Sequence, residues 1–181
     1  MTTLTITTDF GNLNGFVGTM KGVIWGIAPD ANIADISHEI PAQDIRTGAI
    51  ALWRASAFFP AGSVHIAVID PGVGTKRRAI AAKLGNQYYV LPDNGLITPM
   101  LEDAEAAGQE VRIVHLDNAE YWLPRVYTTF HGRDVFAPVG AHLAAGVPLE
   151  ALGTPISDPV RLPLPKPLPT EEGFEASILV V

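Results

Sequence analysis

Apolar positions along this chain fall into short blocks that alternate between two periods. "LTITTDF" is apolar and β-prone, and predicts a first strand ending at Asp9. "GFVGTMKGVIWGIAP" changes to helical spacing, with Phe16, Met20, Val23, Ile24 and Ile27 on one side, and stops at Pro29. "ANIADIS" predicts a second strand. "DIRTGAIALWRASAFFP" predicts a second helix, with Ile45, Ala49, Leu52, Trp53 and Ala57 on its apolar face. "SVHIAVID" is apolar almost throughout, as a strand covered on both faces should be. "AIAAKL" and "QYYVLP" flank a "GNQ" turn and predict a hairpin. "GLITPMLEDAEAAG" predicts a helix, "VRIVHL" a strand, and "DVFAPVGAHLAAG" a helix ended by Gly146. Strands alternating with helices predict an α/β fold, a mostly parallel sheet flanked by helices over residues 1–153. Trp25, Trp53 and the other helical aromatics are expected in the core.

The pattern changes at Thr154. "TPISDPVRLPLPKPLP" carries six prolines, and residues 154–172 are expected to form an extended linker. Residues 173–181, "GFEASILVV", are expected to be the first strand of a truncated second domain.

Composition narrows the picture. With 48% hydrophobic and 17% charged residues, a folded chain is expected rather than a disordered one. No apolar run approaches the ~18 residues that span a bilayer, so no membrane association is expected. The N-terminus lacks a signal-peptide pattern, and the expected compartment is the cytoplasm. The chain has no Cys, which removes disulfides, thiolate nucleophiles and Cys-ligated metals. A formal net charge of −7 disfavours nucleic acid as a partner. The five His show no H-E-x-x-H or comparable spacing, so no metal is expected; His38, His65, His115 and His142 read as structural.

Three loops place polar residues directly after apolar strands: "TTDFGN" with Asp9, "IDPGVGTKRR" with Asp70, Arg77 and Arg78, and "LPDNGL" with Asp93 and Asn94. In a parallel sheet such loops gather at the carboxyl edge, where ligands bind. The second is neither G-x-x-x-x-G-K-[ST] nor G-x-G-x-x-G, so it is no phosphate loop of those kinds. Pro71 and the glycines force a turn that returns Arg77 toward Asp70, either as an ordinary surface ion pair or as a functional one. Asp9 reads as a turn cap or as a carboxylate accepting ribose hydroxyls; the kinase reading of "DFG" lacks its catalytic loop. "PDNG" is itself a turn signal. His131 stands between Phe130 and Gly132, just before a helix that begins near Asp134.

Taken in order, "TDFG", "SHEIPAQDIRTGA", "FFPAGSVHIAVIDPGVGT", "PDNGL" and "TFHGRDVFAPVGAHLAAG" resemble the S-adenosyl-L-methionine hydroxide adenosyltransferases, relatives of fluorinase and chlorinase. The resemblance covers nearly all of residues 4–150. It implies an N-terminal α/β domain, a Pro-containing linker and a C-terminal β-barrel, the last missing from this chain. It implies a homotrimer when that barrel is present, with ligand held between one subunit's N-domain and a neighbour's C-domain. It implies hydrolysis of S-adenosyl-L-methionine to adenosine and methionine, with that molecule as substrate and no cofactor. On the resemblance, Asp70, Arg77 and His131 are the water-activating triad, and Asp9, Asp93, Asn94, Phe130 and Gly132 contact substrate. Asp70 stands where the fluorinase has an aromatic residue, and Val73 and Gly132 where it has halide-binding hydroxyls, so halide transfer is disfavoured. Two other classes remain at this stage: a protein that binds the same molecule without turnover, and an inactive structural fragment.

Overall fold

The structure, a computed structural model, describes residues 2–165, 168–170 and 173–176. Its centre is β3 (Val64–Val68), buried along its whole length, as a strand apolar at all positions but His65 should be. β1 (Thr3–Thr8) lies parallel on one side of β3 and carries β2 (Asn32–Ser37) at the edge. β5 (Gln87–Pro92) lies parallel on the other side. β4 (Ala79–Leu84) runs antiparallel to β5 through a two-residue turn at Gly85 and Asn86, with Gly85 at φ 55° supplying the positive angle. β6 (Val111–His115) pairs antiparallel with β4, and β7 (Thr154–Pro155) with β6. The seven-stranded order is β2-β1-β3-β5-β4-β6-β7. β2, β1, β3, β5 and β6 share one direction, so the sheet is mostly parallel, as the alternation predicts.

Two helices cover each face. α1 (Phe16–Ile27) and α4 (Ala137–Ala144) pack on the face that carries Leu4, Ile6, Ile66, Val68 and Val90. α2 (Ile45–Ser56) and α3 (Thr98–Ala106) cover Ala67, Ile69, Ile80 and Leu91 on the other. The period of two along β3 sends Ile66 and Val68 to one cluster and Ala67 and Ile69 to the other. Where α4 crosses β3, a Cβ on Gly140 would lie 2.4 Å from Ile66 Cδ1, so glycine sets the closeness of that crossing.

Both tryptophans expected in the core are at the surface: Trp25 is 47% and Trp53 40% exposed. The buried stripe of α1 is Val17, Met20 and Ile24, and Trp25 sits one residue, about 100°, beyond it. Phe16 is displaced outward for the same reason, with Val17 taking the inward position. Trp53 flanks Leu52 and spends its indole N–H on Asp103 Oδ2 at 2.6 Å. Ala57 is exposed because α2 ends at Ser56.

The sheet runs past the boundary expected at 153, since Thr154 and Pro155 pair with His115 and Val114. β8 (Leu168–Thr170) and β9 (Gly173–Glu175) form a separate antiparallel hairpin. Of the terminal strand expected over 173–181, residues 177–181 lie outside the described residues.

His65, fully buried on β3, bonds Thr5 Oγ1 through Nδ1 at 2.8 Å and stacks on Tyr89 at 5.1 Å. Burial pulls its pKa down to about 4. The unfolded chain then binds a proton near pH 6.5 that the native state refuses until about pH 4. Stability is full above 6.5 and falls as pH drops through that window, by about 3 kcal/mol from this residue. Urea titrations at pH 7 and pH 4 should therefore show a smaller acid loss in His65→Phe than in the parent chain.

Candidate active site

The sheet's direction decides where the polar loops meet. β1, β3 and β5 all end at one edge, and Asp9, Asp70, Asp93 and Asn94 follow them there. After Asp70 the chain turns twice, through Val73 N–H to Asp70 C=O at 3.2 Å and Thr75 N–H to Gly72 C=O at 3.1 Å. Gly74 has φ 76°, and a Cβ there would lie 2.9 Å from the Thr128 carbonyl oxygen. The loop thus folds back tightly against the segment that leads to His131.

The returning Arg77 forms a fork with Asp70. Nε donates to Oδ1 at 3.0 Å and Nη2 to Oδ2 at 2.5 Å, with side chains only 7% and 3% exposed. Arg77 Nη2 also donates to His131 Nδ1 at 3.1 Å. Its guanidinium lies over the Phe136 ring, 5.4 Å from the centroid. The three residues that sequence places 61 positions apart are therefore one contiguous group, with Arg77 between the other two.

The electrostatics follow from burial and this bridge. Burial pushes the Asp70 pKa up, while the Arg77 charge and hydrogen bonds and the nearby His131 pull it back. Both oxygens accept N–H bonds, the bonding pattern of the carboxylate form. Burial pulls the His131 pKa down, and the Arg77 charge adds to it. Arginine has donors and no acceptor, so the Nδ1 that meets it must offer a lone pair. The neutral imidazole then carries its proton on Nε2, so His131 presents a donor on its other side.

A cavity of about 250 Å³ opens beside His131, lined by Phe10, Phe16, Thr19, Met20, Thr129, Phe130, Gly132 and Arg133. Phe130 packs edge-on to Phe16 at 5.6 Å. A Cβ on Gly132 would come within 3.3 Å of the Phe10 ring, so glycine keeps this wall thin. Helix geometry helps to place His131: one π-helical turn at Gly132–Phe136 precedes α4. The buried Asp134 in that turn accepts Tyr127 N–H at 2.8 Å and Arg133 Nε at 2.6 Å, which ties down the loop preceding His131.

Asp9 lies at the same edge, and its Oδ2 accepts Gln43 N–H at 2.7 Å. Gln43 is in the left-handed region at φ 66°, an orientation of the amide that the sequence does not announce. Asp93 and Asn94 do not join the triad. Asp93 is held by Arg78 Nε at 2.8 Å and by Val160 N–H at 2.7 Å. Asn94 donates to the Ile69 carbonyl at 2.9 Å and accepts from Leu96 N–H at 3.2 Å. His38 and His65 lie buried in side-chain hydrogen bonds to Thr8 and Thr5. Among the described residues no group of three or more His, Asp or Glu could hold a metal, and no helix is long and apolar enough to cross a membrane.

The model of the SAM hydroxide adenosyltransferase N-terminal domain matches residues 4–153. The chain is 46% identical over 181 residues to the (R)-S-adenosyl-L-methionine hydrolase of Salinispora arenicola, covering 98% of this chain and 67% of that protein. It is 27% identical over 196 residues to the fluorinase of Actinoplanes sp., covering 94% and 64%. An uncharacterized conserved protein from Thermotoga maritima superposes with a TM-score of 0.87 at 41% identity, covering 91% of this chain and 63% of that one. The chain thus spans about two thirds of the length of the proteins it matches.

Proposed function

Because the chain belongs to the SAM hydroxide adenosyltransferase family, whose N-terminal domain it matches over residues 4–153, we propose that it supplies the water-activating half of an S-adenosyl-L-methionine hydrolase. The observation that carries this reading is the Arg77 guanidinium bridging Asp70 and His131 beside an aromatic cavity. Water attacks C5′ of the substrate, the C5′–S bond breaks, and its electron pair goes to sulfur. The products are adenosine, neutral methionine and one proton. The leaving group needs no acid, because a cationic sulfonium becomes a neutral thioether. The demand falls on the nucleophile, since bulk water has a pKa of about 15.7.

Asp70 takes the proton in this scheme. Its pKa is raised, which makes it a better base than an ordinary carboxylate, and Arg77 holds its oxygens in place. His131 does not compete for the proton, since its Nδ1 is committed to Arg77. Its Nε2–H instead orients the water and stabilises developing hydroxide. Asp9, at the same edge, accepts the ribose hydroxyls, and Phe130 and Gly132 border the reacting centre. Exposed Phe16, which lines the cavity, and Tyr127, packed on Phe130, suit burial against a neighbouring subunit, in keeping with a trimer built with a C-terminal domain. Val73 and Gly132 offer no hydroxyl for halide, which favours water over chloride or fluoride as nucleophile.

The test is a product count. The protein incubated with S-adenosyl-L-methionine in the presence of chloride should yield adenosine and methionine one to one. Accumulation of a 5′-halogenated nucleoside, or of neither product by a protein that binds the substrate, would overturn the proposal.

A further inference from the structure

Arg77 and Arg78 are consecutive, yet each pairs with a different buried carboxylate, Arg77 through both oxygens and Arg78 through one. Arg77 takes Asp70, as above. Arg78 takes Asp93, whose side chain is 1% exposed, with Nε at 2.8 Å and Nη2 at 2.7 Å. The same guanidinium reaches a segment 80 residues further on: Nη1 donates to Asp158 Oδ1 at 2.9 Å, and Nη2 to the Asp158 carbonyl at 2.7 Å. The other Asp93 oxygen accepts Val160 N–H at 2.7 Å. The segment continues along the sheet edge. Arg161 forks Glu105 at 2.9 and 2.5 Å, Leu162 N–H donates to Thr98 Oγ1 at 2.8 Å, and Arg161 bridges in parallel to Gly95. Gly95 has φ 96°, and a Cβ there would lie 2.9 Å from Leu162 N, so the approach of the two backbones depends on glycine.

We propose that Arg78 and Asp93 are positioning residues: together they dock residues 158–162 on the carboxyl edge of the sheet and hold the backbone at 77–78, which keeps the Arg77 guanidinium between Asp70 and His131. The physical reason is mutual dependence. Between Gly74 and Arg77 the loop backbone makes a local turn, with Thr75 Oγ1 accepting Arg77 N–H at 3.2 Å, and Arg77 reaches Asp70 and His131 through its side chain. Arg78 ties the backbone as well as the side chain to distant residues, since its carbonyl accepts Asp93 N–H at 2.9 Å. Both oxygens of the buried Asp93 carboxylate are occupied by these donors, and losing one leaves a buried polar group without its partner, so segment, arginine and loop stand or fall as one unit. The consequence for turnover rests on the function proposed above, whereas the docking and its effect on His131 do not.

The test reads the substrate-free protein twice. Trypsin cleavage after the exposed Arg161 reports release of the segment. The NMR titration of the His131 ring reports the placement of Arg77, since Arg77, Asp70 and Asp134 are the charged groups that act on it. Asp93→Asn is expected to speed cleavage about tenfold or more, the effect of losing charge-assisted hydrogen bonds. It is also expected to move the His131 midpoint upward. Loss of the Asp93 charge alone would move that midpoint down, so the upward shift reports Arg77 leaving. Glu105→Ala, which loosens the segment away from Arg78, should speed cleavage and leave His131 unmoved. Should Asp93→Asn fail to fold, Asp158→Ala, at an exposed carboxylate, should give both changes in smaller measure. A folded Asp93→Asn or Asp158→Ala protein with an unmoved His131 midpoint overturns the proposal, as does an equal shift in Glu105→Ala. Absence of turnover in the parent chain would count against the hydrolase reading and leave these two readouts standing.

Discussion

Replacing Asp70 with alanine should lower kcat by about three orders of magnitude and leave KM for S-adenosyl-L-methionine within a few-fold. The asymmetry follows from where Asp70 stands. It is 3% exposed and grips Arg77 through both oxygens, and in the proposed scheme it takes the proton of the water without contacting the bulk of the substrate. Its loss removes the proton acceptor and releases the guanidinium that orients His131. Neither change touches Asp9 or the aromatic cavity, to which the proposal assigns substrate binding. Steady-state kinetics on Asp70→Ala and Asp70→Asn decide the matter. Asn keeps the shape and an acceptor oxygen but cannot take a proton, so it should be nearly as slow as Ala. The parent enzyme should lose kcat on acidification at a pH above the usual carboxylate range, because burial raises the Asp70 pKa. A variant whose KM rises as steeply as its kcat falls would make Asp70 a binding residue.

The second large effect is on stability. Arg77→Met should destabilise the fold by about 3 kcal/mol or more at neutral pH, because it leaves the Asp70 charge buried with no cation beside it. Met fills much of the volume over the Phe136 ring, so packing is not the main loss. The pH dependence has a definite sign. An acid whose native pKa lies above its unfolded value is held protonated more readily by the native state. Native stability then rises as pH falls from that raised pKa toward 3.8, and is lost as pH rises through it. Without Arg77 the elevation is larger, so the deficit relative to the parent chain should shrink from pH 7 to pH 5. Urea denaturation of both proteins at the two pH values measures it. A deficit below about 1 kcal/mol, or one that grows on acidification, would mean that Asp70 is not held as a buried carboxylate.

Periodicity placed the strands and helices well because most elements bury one stripe or both faces, and each leaves a pattern in the chain. It misplaced Trp25 and Trp53 because a large residue at the shoulder of a helical stripe has the spacing of a buried one. The Asp70–Arg77 pair was legible as geometry: a Pro-Gly turn after a buried strand can only return the chain on itself. Its link to His131, 54 positions beyond Arg77, was legible only through resemblance, since no local pattern encodes contact between a βα loop and a distant helix start. Gln43 was silent because a single left-handed residue that is not glycine leaves no compositional trace. The docking of the proline-rich segment left no sign in the sequence, because bonds such as Val160 N–H to Asp93 depend on backbone groups that every sequence shares. That same bond and the Arg78 ion pair hold the Asp93 carboxylate in this structure.

The most direct measurement is mass spectrometry of the products formed from S-adenosyl-L-methionine in ¹⁸O-water. Attack of water at C5′ predicts one ¹⁸O in adenosine, on the 5′ oxygen, and none in methionine. Unlabelled adenosine, or label recovered in methionine, would contradict a water activated between Asp70 and His131.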